Sequence, residues 1–275
     1  MQELVGVTSV LIPLYNHERF IGETLDSLLA SDCSKIELII SDDASSDRSV
    51  QVASDWLARH GSKFRRTSLF AGKSNRGITA SLNTMIEAAT GEFITLLASD
   101  DMLPGDAVDM QRDYLLAHTD VDFLFVNCTI IDMEGRPIKQ RAAGPFMSGL
   151  LSLRLFALLN MLFNWSVIWS RLFGRRRKFL KFGRYIEEHC LEDRWSALKI
   201  MNSRRFAYLG SIGYLYRYRG AQAHPAISSD AARRDFHDTE RRLHAEARGL
   251  LYFLLWIRRL PFRTNRGKWP CRNVN

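Results

Sequence analysis

Cysteine is scarce and scattered: Cys33, Cys128, Cys190 and Cys271 stand far apart, with no CxxC pair. That spacing offers neither a disulfide framework nor a zinc clip, and the four read as reduced, structural thiols of a cytosolic protein. No stretch reaches the ~20 apolar residues that span a bilayer. The longest, "GLLYFLLWI" at 249–257, could only lie in an interface. No charged segment followed by an apolar core opens the chain, so no signal peptide is expected. Internal repeats and low-complexity tracts are missing, which argues against a solenoid or an array. Glycine is missing from "PLYNHERF", the turn after the first β-type run, where a nucleotidyltransferase would carry its phosphate loop.

What is present is material for a folded core. Hydrophobic residues make up 46% and charged residues 25%, values of an ordinary globular protein. A chain of 275 residues suffices for one large or two small domains. The net charge, 38 − 30 = +8, favours anionic partners. Its excess concentrates in "GRRRKFLKFGR" (174–184) and "IRRLPFRTNRGK" (257–268), beside aliphatic runs. Nucleic-acid binders interleave aromatics with the basic residues, so nucleic acid is not an expected partner.

Periodicity alternates regularly over the first hundred residues. Strands are predicted at "VTSVLIP" (7–13), "KIELIIS" (35–41), "TSLFAG" and "EFITLLA". Helices are predicted at 18–31, at 46–61 with Gly61 as its stop, and over "ITASLNTMIEAATG". Such alternation implies an α/β fold with a mainly parallel sheet. Further on come a helix at "PGDAVDMQRDYLLAH", a long β-type run at "VDFLFVNCTIID" and a loop over 135–146. One apolar helix is expected at "MSGLLSLRLFALLNML", another helix at "HCLEDRWSALKIM", a strand pair or extended segment at "FAYLGSIGYLYRYRG", and a long helix near the C-terminus.

Ligands of open parallel sheets bind beyond the carboxyl ends of the strands. Strand one is followed there by Tyr15 and Asn16, strand two by Asp42 and Asp43, and strand four by Asp100 and Asp101. A single acidic turn is most simply a capped loop. Two acidic pairs on one sheet edge suit a nucleotide diphosphate, with a hard cation bridging carboxylate and phosphate oxygens. Tyr15 offers a face for a base to stack on. Arg76, in "GKSNRGITASLN", stands near a helix N-terminus suited to an anion.

Together, "VLIPLYNHERFIGETLDSLL", "ELIISDDASSDRSVQV", "NRGITASLNTMIEAATGEFITLLASDD" and "FGRYIEEHCLEDRWSALKI" resemble a family 2 inverting glycosyltransferase of GT-A fold. The likeness covers Val7 to Asp101 and Phe182 to Met201. It implies a Rossmann-like, mainly parallel sheet flanked by helices. A nucleotide-sugar-binding half (1–134) would precede an acceptor-binding half (135–228), with a helical, basic, membrane-associating tail (229–275). By position, Pro13 and Tyr15 would line the base site, Asp43 would hold the base with Asp42 beside it, and Asp100 would contact the ribose. Asp101 would ligate Mn²⁺ or Mg²⁺. In "LEDRW", Asp193 would be the general base and Glu192 its neighbour in the site.

One departure stands out. The family often carries Tyr-Arg-x-His near the end of the fold, with a metal-binding histidine, whereas "YRYRGAQAH" has Arg219 there and His224 five residues later. Arg219 would neutralise the diphosphate, or His224 would reach back to the metal. The resemblance implies a UDP, dTDP or GDP sugar as donor and a saccharide or lipid-linked saccharide as acceptor. The expected setting is cytoplasmic, peripheral on an anionic membrane surface. The rival reading is a catalytically degenerate scaffold of the same fold; a phosphoacceptor receiver domain would leave the C-terminal half unexplained.

Overall fold

A computed structural model describes residues 3–163, 166–185, 187, 192–203 and 205–219, with 238, 241 and 245 standing alone. The order is β1 (Leu4–Leu14), α1 (Ile21–Asp26), β2 (Ile36–Asp42), α2 (Ser49–His60), β3 (Arg66–Ala71), α3 (Ile78–Ala88), β4 (Gly91–Leu96), α4 (Ala107–Ala117) and β5 (Phe123–Ile131). There follow β6 (Pro137–Lys139), α5 (Pro145–Leu151), α6 (Arg154–Phe163), β7 (Leu172–Arg175), α7 (Arg176–Phe182), α8 (Glu192–Ser203) and β8 (Phe206–Arg217). All eight strands form one sheet in the order β3-β2-β1-β4-β7-β5-β6, with β8 on the other side of β5.

The pairings β1–β2, β1–β4, β2–β3 and β5–β8 are parallel, while β7 runs antiparallel between β4 and β5. Because β7 and β8 come late in the chain and join β4 and β5, the sheet runs through the 134/135 division instead of stopping at it. Residues 229–275 lie outside the described residues except for 238, 241 and 245.

Side chains alternate across the strands, as period-2 geometry requires. Leu11, Ile39 and Ile94 pack on one face beneath α3 and α6; Val10, Ile12, Leu38, Ile40 and Phe93 pack on the other, beneath α1, α2 and α4. Each fully buried aliphatic side chain contributes about 1.5–3 kcal/mol. Glu37, also fully buried, accepts hydrogen bonds from the Ser9 hydroxyl (2.6 Å) and from the amide and hydroxyl of Thr90 (both 2.7 Å). A carboxylate so satisfied is tolerated in the interior.

Several elements differ from the sequence reading. The helix expected at 18–31 is α1 followed by a 3-10 turn at Ser27–Ala30. Gly61 keeps right-handed helical angles (φ −60°) and leads into another 3-10 turn instead of a left-handed stop. The expected single apolar helix is two, α5 and α6, bent by 106°. Ser152 ends the first by donating its hydroxyl to the Gly149 carbonyl (2.6 Å), and Arg154 anchors the second by donating to the Phe206 carbonyl (3.1 Å). The supposed loop at 135–146 contains β6 and the start of α5. The 206–217 segment is one strand, kinked where its register with β5 shifts at Val126–Cys128. Nor is the basic run at 174–178 purely a surface: Arg175 is buried and donates to the Leu115 (2.5 Å) and Val121 (3.1 Å) carbonyls. Among the described residues no single helix is long and apolar enough to cross a membrane.

Candidate active site

β1 pairs with β2 on one side and with β4 on the other, so the strand order reverses there, the position at which open α/β sheets place a ligand crevice beyond the carboxyl ends. The turns after β1 and β2 interlock. Asn16 (φ +50°) and Ala44 (φ +61°) are left-handed, a conformation that asparagine's short polar side chain tolerates. The Asn16 amide donates to the Ser45 hydroxyl (2.9 Å), and Asn16 Oδ1 accepts from the Ser46 amide (2.8 Å). Tyr15 is 46% exposed beside this lock, and Pro13, half-buried, pairs in register with Ser41.

Asp42 and Asp43, both buried, brace the same edge. The Asp42 carboxylate accepts from the amide (2.9 Å) and hydroxyl of Ser45. Asp43 accepts from the amides of Arg76 (2.7 Å) and Gly77 (2.8 Å), clamping the β3–α3 loop. The expected base-binding carboxylate thus first organises a loop.

That loop reaches across to the second half. The Arg76 guanidinium pairs with Glu187 (2.5 Å), which also takes a hydrogen bond from Arg184 (3.1 Å). Asn83 on α3 holds Tyr185 at both backbone groups, accepting from its amide (2.7 Å) and donating to its carbonyl (2.9 Å). The segment leading to α8 is thereby tied to the edge where the strand-end turns meet. Asp193 sits half-buried in the first turn of α8, whose first residue is Glu192.

At the end of β4 the two adjacent aspartates part company. Asp101 is 1% exposed. Its Oδ1 accepts from the Arg217 amide (2.9 Å), and its Oδ2 lies against the buried Arg171 guanidinium, an ion pair without hydrogen-bond alignment. Burial pushes its carboxyl up to about 6, with Arg171 pulling the other way, so it is chiefly ionised at neutral pH. Arg217 fixes the turn from below, donating to the Asp100 carbonyl (2.8 Å), the Met133 carbonyl (2.9 Å) and Glu23 (2.8 Å).

Asp100 is the least buried of the four strand-end aspartates. Arg219, two residues beyond Arg217, donates from Nε to Asp100 Oδ2 (2.8 Å), and its Nη2 stands 2.6 Å from the same oxygen as an ion pair. Nη2 also meets His17 Nε2. A guanidinium only donates, so Nε2 is the acceptor and the imidazole proton sits on Nδ1, which donates to the Ser99 hydroxyl (2.7 Å). Burial, reinforced by the Arg219 charge, lowers the His17 pKa and keeps the ring neutral.

This donor set does not fit the expected cation site. Among the described residues no group of three or more His, Cys, Asp or Glu side chains converges to hold a metal ion. Asp101 is turned inward onto Arg171, and Asp100 is taken by a guanidinium; His224 lies outside the described residues. The sequence reading missed His17, Arg171, Asn83 and Glu187. His17 was visible in "YNHE" beside residues already singled out. Arg171 carries no local signal, because the antiparallel β7 alone brings it under β4.

The model of the family described as Glycosyl transferase family 2 matches residues 9–183. An uncharacterised glycosyltransferase of Haemophilus influenzae is 33% identical over 48% of this chain and 50% of its own length. The Escherichia coli UDP-Glc:alpha-D-GlcNAc-diphosphoundecaprenol beta-1,3-glucosyltransferase WfgD is 30% identical over 46% of this chain and 47% of its own. The chain thus spans about half the length of these curated relatives. Among solved structures, Staphylococcus aureus TarS 1-349 with UDP-GlcNAc superposes at a TM-score of 0.70, with 20% identity, over 90% of this chain and 69% of that one. A mannosyltransferase of Pyrobaculum calidifontis with GDP-Man and Mn²⁺ gives 0.65, with 18% identity, over 91% and 68%. At such identities these two likenesses speak to the fold.

Proposed function

The chain belongs to glycosyl transferase family 2, and on that premise we propose that it transfers a sugar from a nucleotide-diphosphate donor to an acceptor hydroxyl with inversion. The observation that carries this reading is the meeting of the β1, β2 and β4 turns at the strand-order reversal. There Tyr15, Asn16, Asp43 and Asp100 border one crevice, and the β3–α3 loop ties it to the segment before Asp193. Tyr15 and Pro13 flank the base, Asp42 and Asp43 hold the loop around it, and Asp100 lies at the ribose–diphosphate junction.

The acceptor hydroxyl oxygen attacks the anomeric carbon while the bond from that carbon to the diphosphate oxygen breaks. The bonding pair leaves on the nucleoside diphosphate, and the hydroxyl proton passes to Asp193 as general base. Mn²⁺ or Mg²⁺, expected at Asp101 and His224, finds no fitting donor set among the described residues, so no step is routed through it. UDP, dTDP and GDP sugars are the donor candidates.

For the acceptor, the lipid-linked sugar in the name of the E. coli relative agrees with an apolar face on this chain. Phe146, Leu153, Leu155 and Phe163 are exposed along α5 and α6, a surface suited to the membrane interface where such an acceptor resides. Polysaccharide or glycolipid assembly at a membrane is the setting this supports.

The test is Asp193→Asn. Turnover of the donor sugar should fall by about 10²–10⁴-fold, with nucleoside diphosphate binding by calorimetry unchanged within about twofold. Unaltered turnover would remove Asp193 from the reaction. Nucleotide binding without any turnover by the wild type would favour the scaffold reading, which the inward-turned Asp101 supports.

A further inference from the structure

In the proposed transfer the leaving diphosphate carries the charge that must be offset. We propose that the Arg219 guanidinium is the fixed counter-charge for that diphosphate, in place of a divalent cation. The inference rests on the transferase reading.

Three observations carry it. Arg219 stands directly on Asp100, the least buried carboxylate at the strand ends, through a hydrogen bond from Nε at 2.8 Å and an ion-pair contact from Nη2 at 2.6 Å. Both contacts fall on Asp100 Oδ2, so a metal ion would be left Oδ1 alone on that carboxylate and would face a guanidinium a few ångströms away. The second carboxylate, Asp101, is 1% exposed and already neutralises Arg171. His17 is neutral, with Nε2 accepting from Arg219 and Nδ1 donating to Ser99, so it adds no charge of its own.

The guanidinium is also built to stay put. Asp100 and His17 fix its Nε and Nη2 edge, and its carbon lies 5.6 Å from the centroid of the Phe20 ring, at cation–π range. Nη1 has no protein partner among the described residues and keeps two donors for phosphate oxygens. Guanidinium donors match phosphate geometry, and a charge-assisted pair is about twice as strong as a neutral one. Preorganised in this way, Arg219 meets charge as it develops, without reorganisation.

The test titrates UDP, GDP and dTDP, and the matching monophosphates, into the wild type with EDTA and then with Mn²⁺ or Mg²⁺. Arg219→Ala and Arg219→Lys follow, each checked by its thermal unfolding transition. One nucleoside diphosphate should bind the wild type equally well, within about twofold, with EDTA and with metal. Arg219→Ala should weaken the diphosphate by about 10- to 100-fold and the monophosphate much less, with Arg219→Lys between. Wild-type binding that needs Mn²⁺ or Mg²⁺ would overturn this inference and leave the transferase reading standing, and that arm depends on no variant. Equal binding by folded Arg219→Ala would overturn it too. If no nucleoside diphosphate binds the wild type under either condition, the transferase reading falls together with this one.

Discussion

At the scale of single residues the crevice is governed by how each charge is offset. Asp42, Asp43, Asp100 and Asp101 would repel one another if left bare, and each has its own partner: the Ser45 amide, two loop amides, Arg219 and Arg171. His17 is held neutral between Ser99 and Arg219, which makes it a pH-sensitive member of the set. Its folded pKa lies below the ordinary histidine value, burial being the first cause and the Arg219 charge the second. The unfolded chain therefore takes up the proton first. Stability from this group is full above about 6.5 and is lost as pH falls through that value toward the folded pKa. Wild type should lose more thermal stability between pH 7.5 and 5.5 than His17→Gln, which lacks the titration. Equal losses in melting temperature would show that His17 does not titrate in this way.

Among the elements, the β3–α3 loop joins the turn after β2 to the segment before α8. It leaves β3 at Gly72, whose amide donates to the Asp42 carbonyl (2.8 Å), and enters α3 through the two amides that Asp43 caps. A Cβ at Gly72 would fall 2.8 Å from that same carbonyl oxygen, a backbone atom that cannot swing aside. Gly72→Ala should therefore cost about 1–3 kcal/mol in urea unfolding and weaken nucleotide binding, since the loop must shift off Asp43. An unchanged unfolding midpoint would mean that the approach is looser than it stands here. The same scale explains where pattern reading stopped. β1 to β4 and α2 to α4 follow from alternation and helical spacing, which are local properties. β7 is four residues long, lies within a run rich in arginine and exists because β4 and β5 both offer it an edge. The α5–α6 bend likewise depends on Arg154 finding the Phe206 carbonyl on β8.

Over the whole molecule, one sheet joins β1 to β5 with β6, β7 and β8 from later in the chain. Among the described residues, exposed large hydrophobic side chains gather along α5 and α6, where Phe146 is 80% exposed and Leu155 58%. If this face meets lipid, the double substitution Phe146→Glu with Leu155→Glu should cut cosedimentation with phosphatidylglycerol vesicles several-fold, leaving nucleotide binding intact. Wild-type protein that stays in the supernatant would remove the membrane from the account.

The sequence by itself determined the alternating α/β order, the aspartates at strand ends and the family likeness, because each rests on spacing between near neighbours. It also showed that Arg219 stands where a histidine is usual. Only the tertiary structure decided which aspartate of the 100–101 pair stays near the surface. That depends on Arg171 arriving under β4 from 70 residues away and on Arg217 pinning the turn. Adjacent carboxylates are equivalent in a string of letters, and they become different once one of them is desolvated beside a guanidinium.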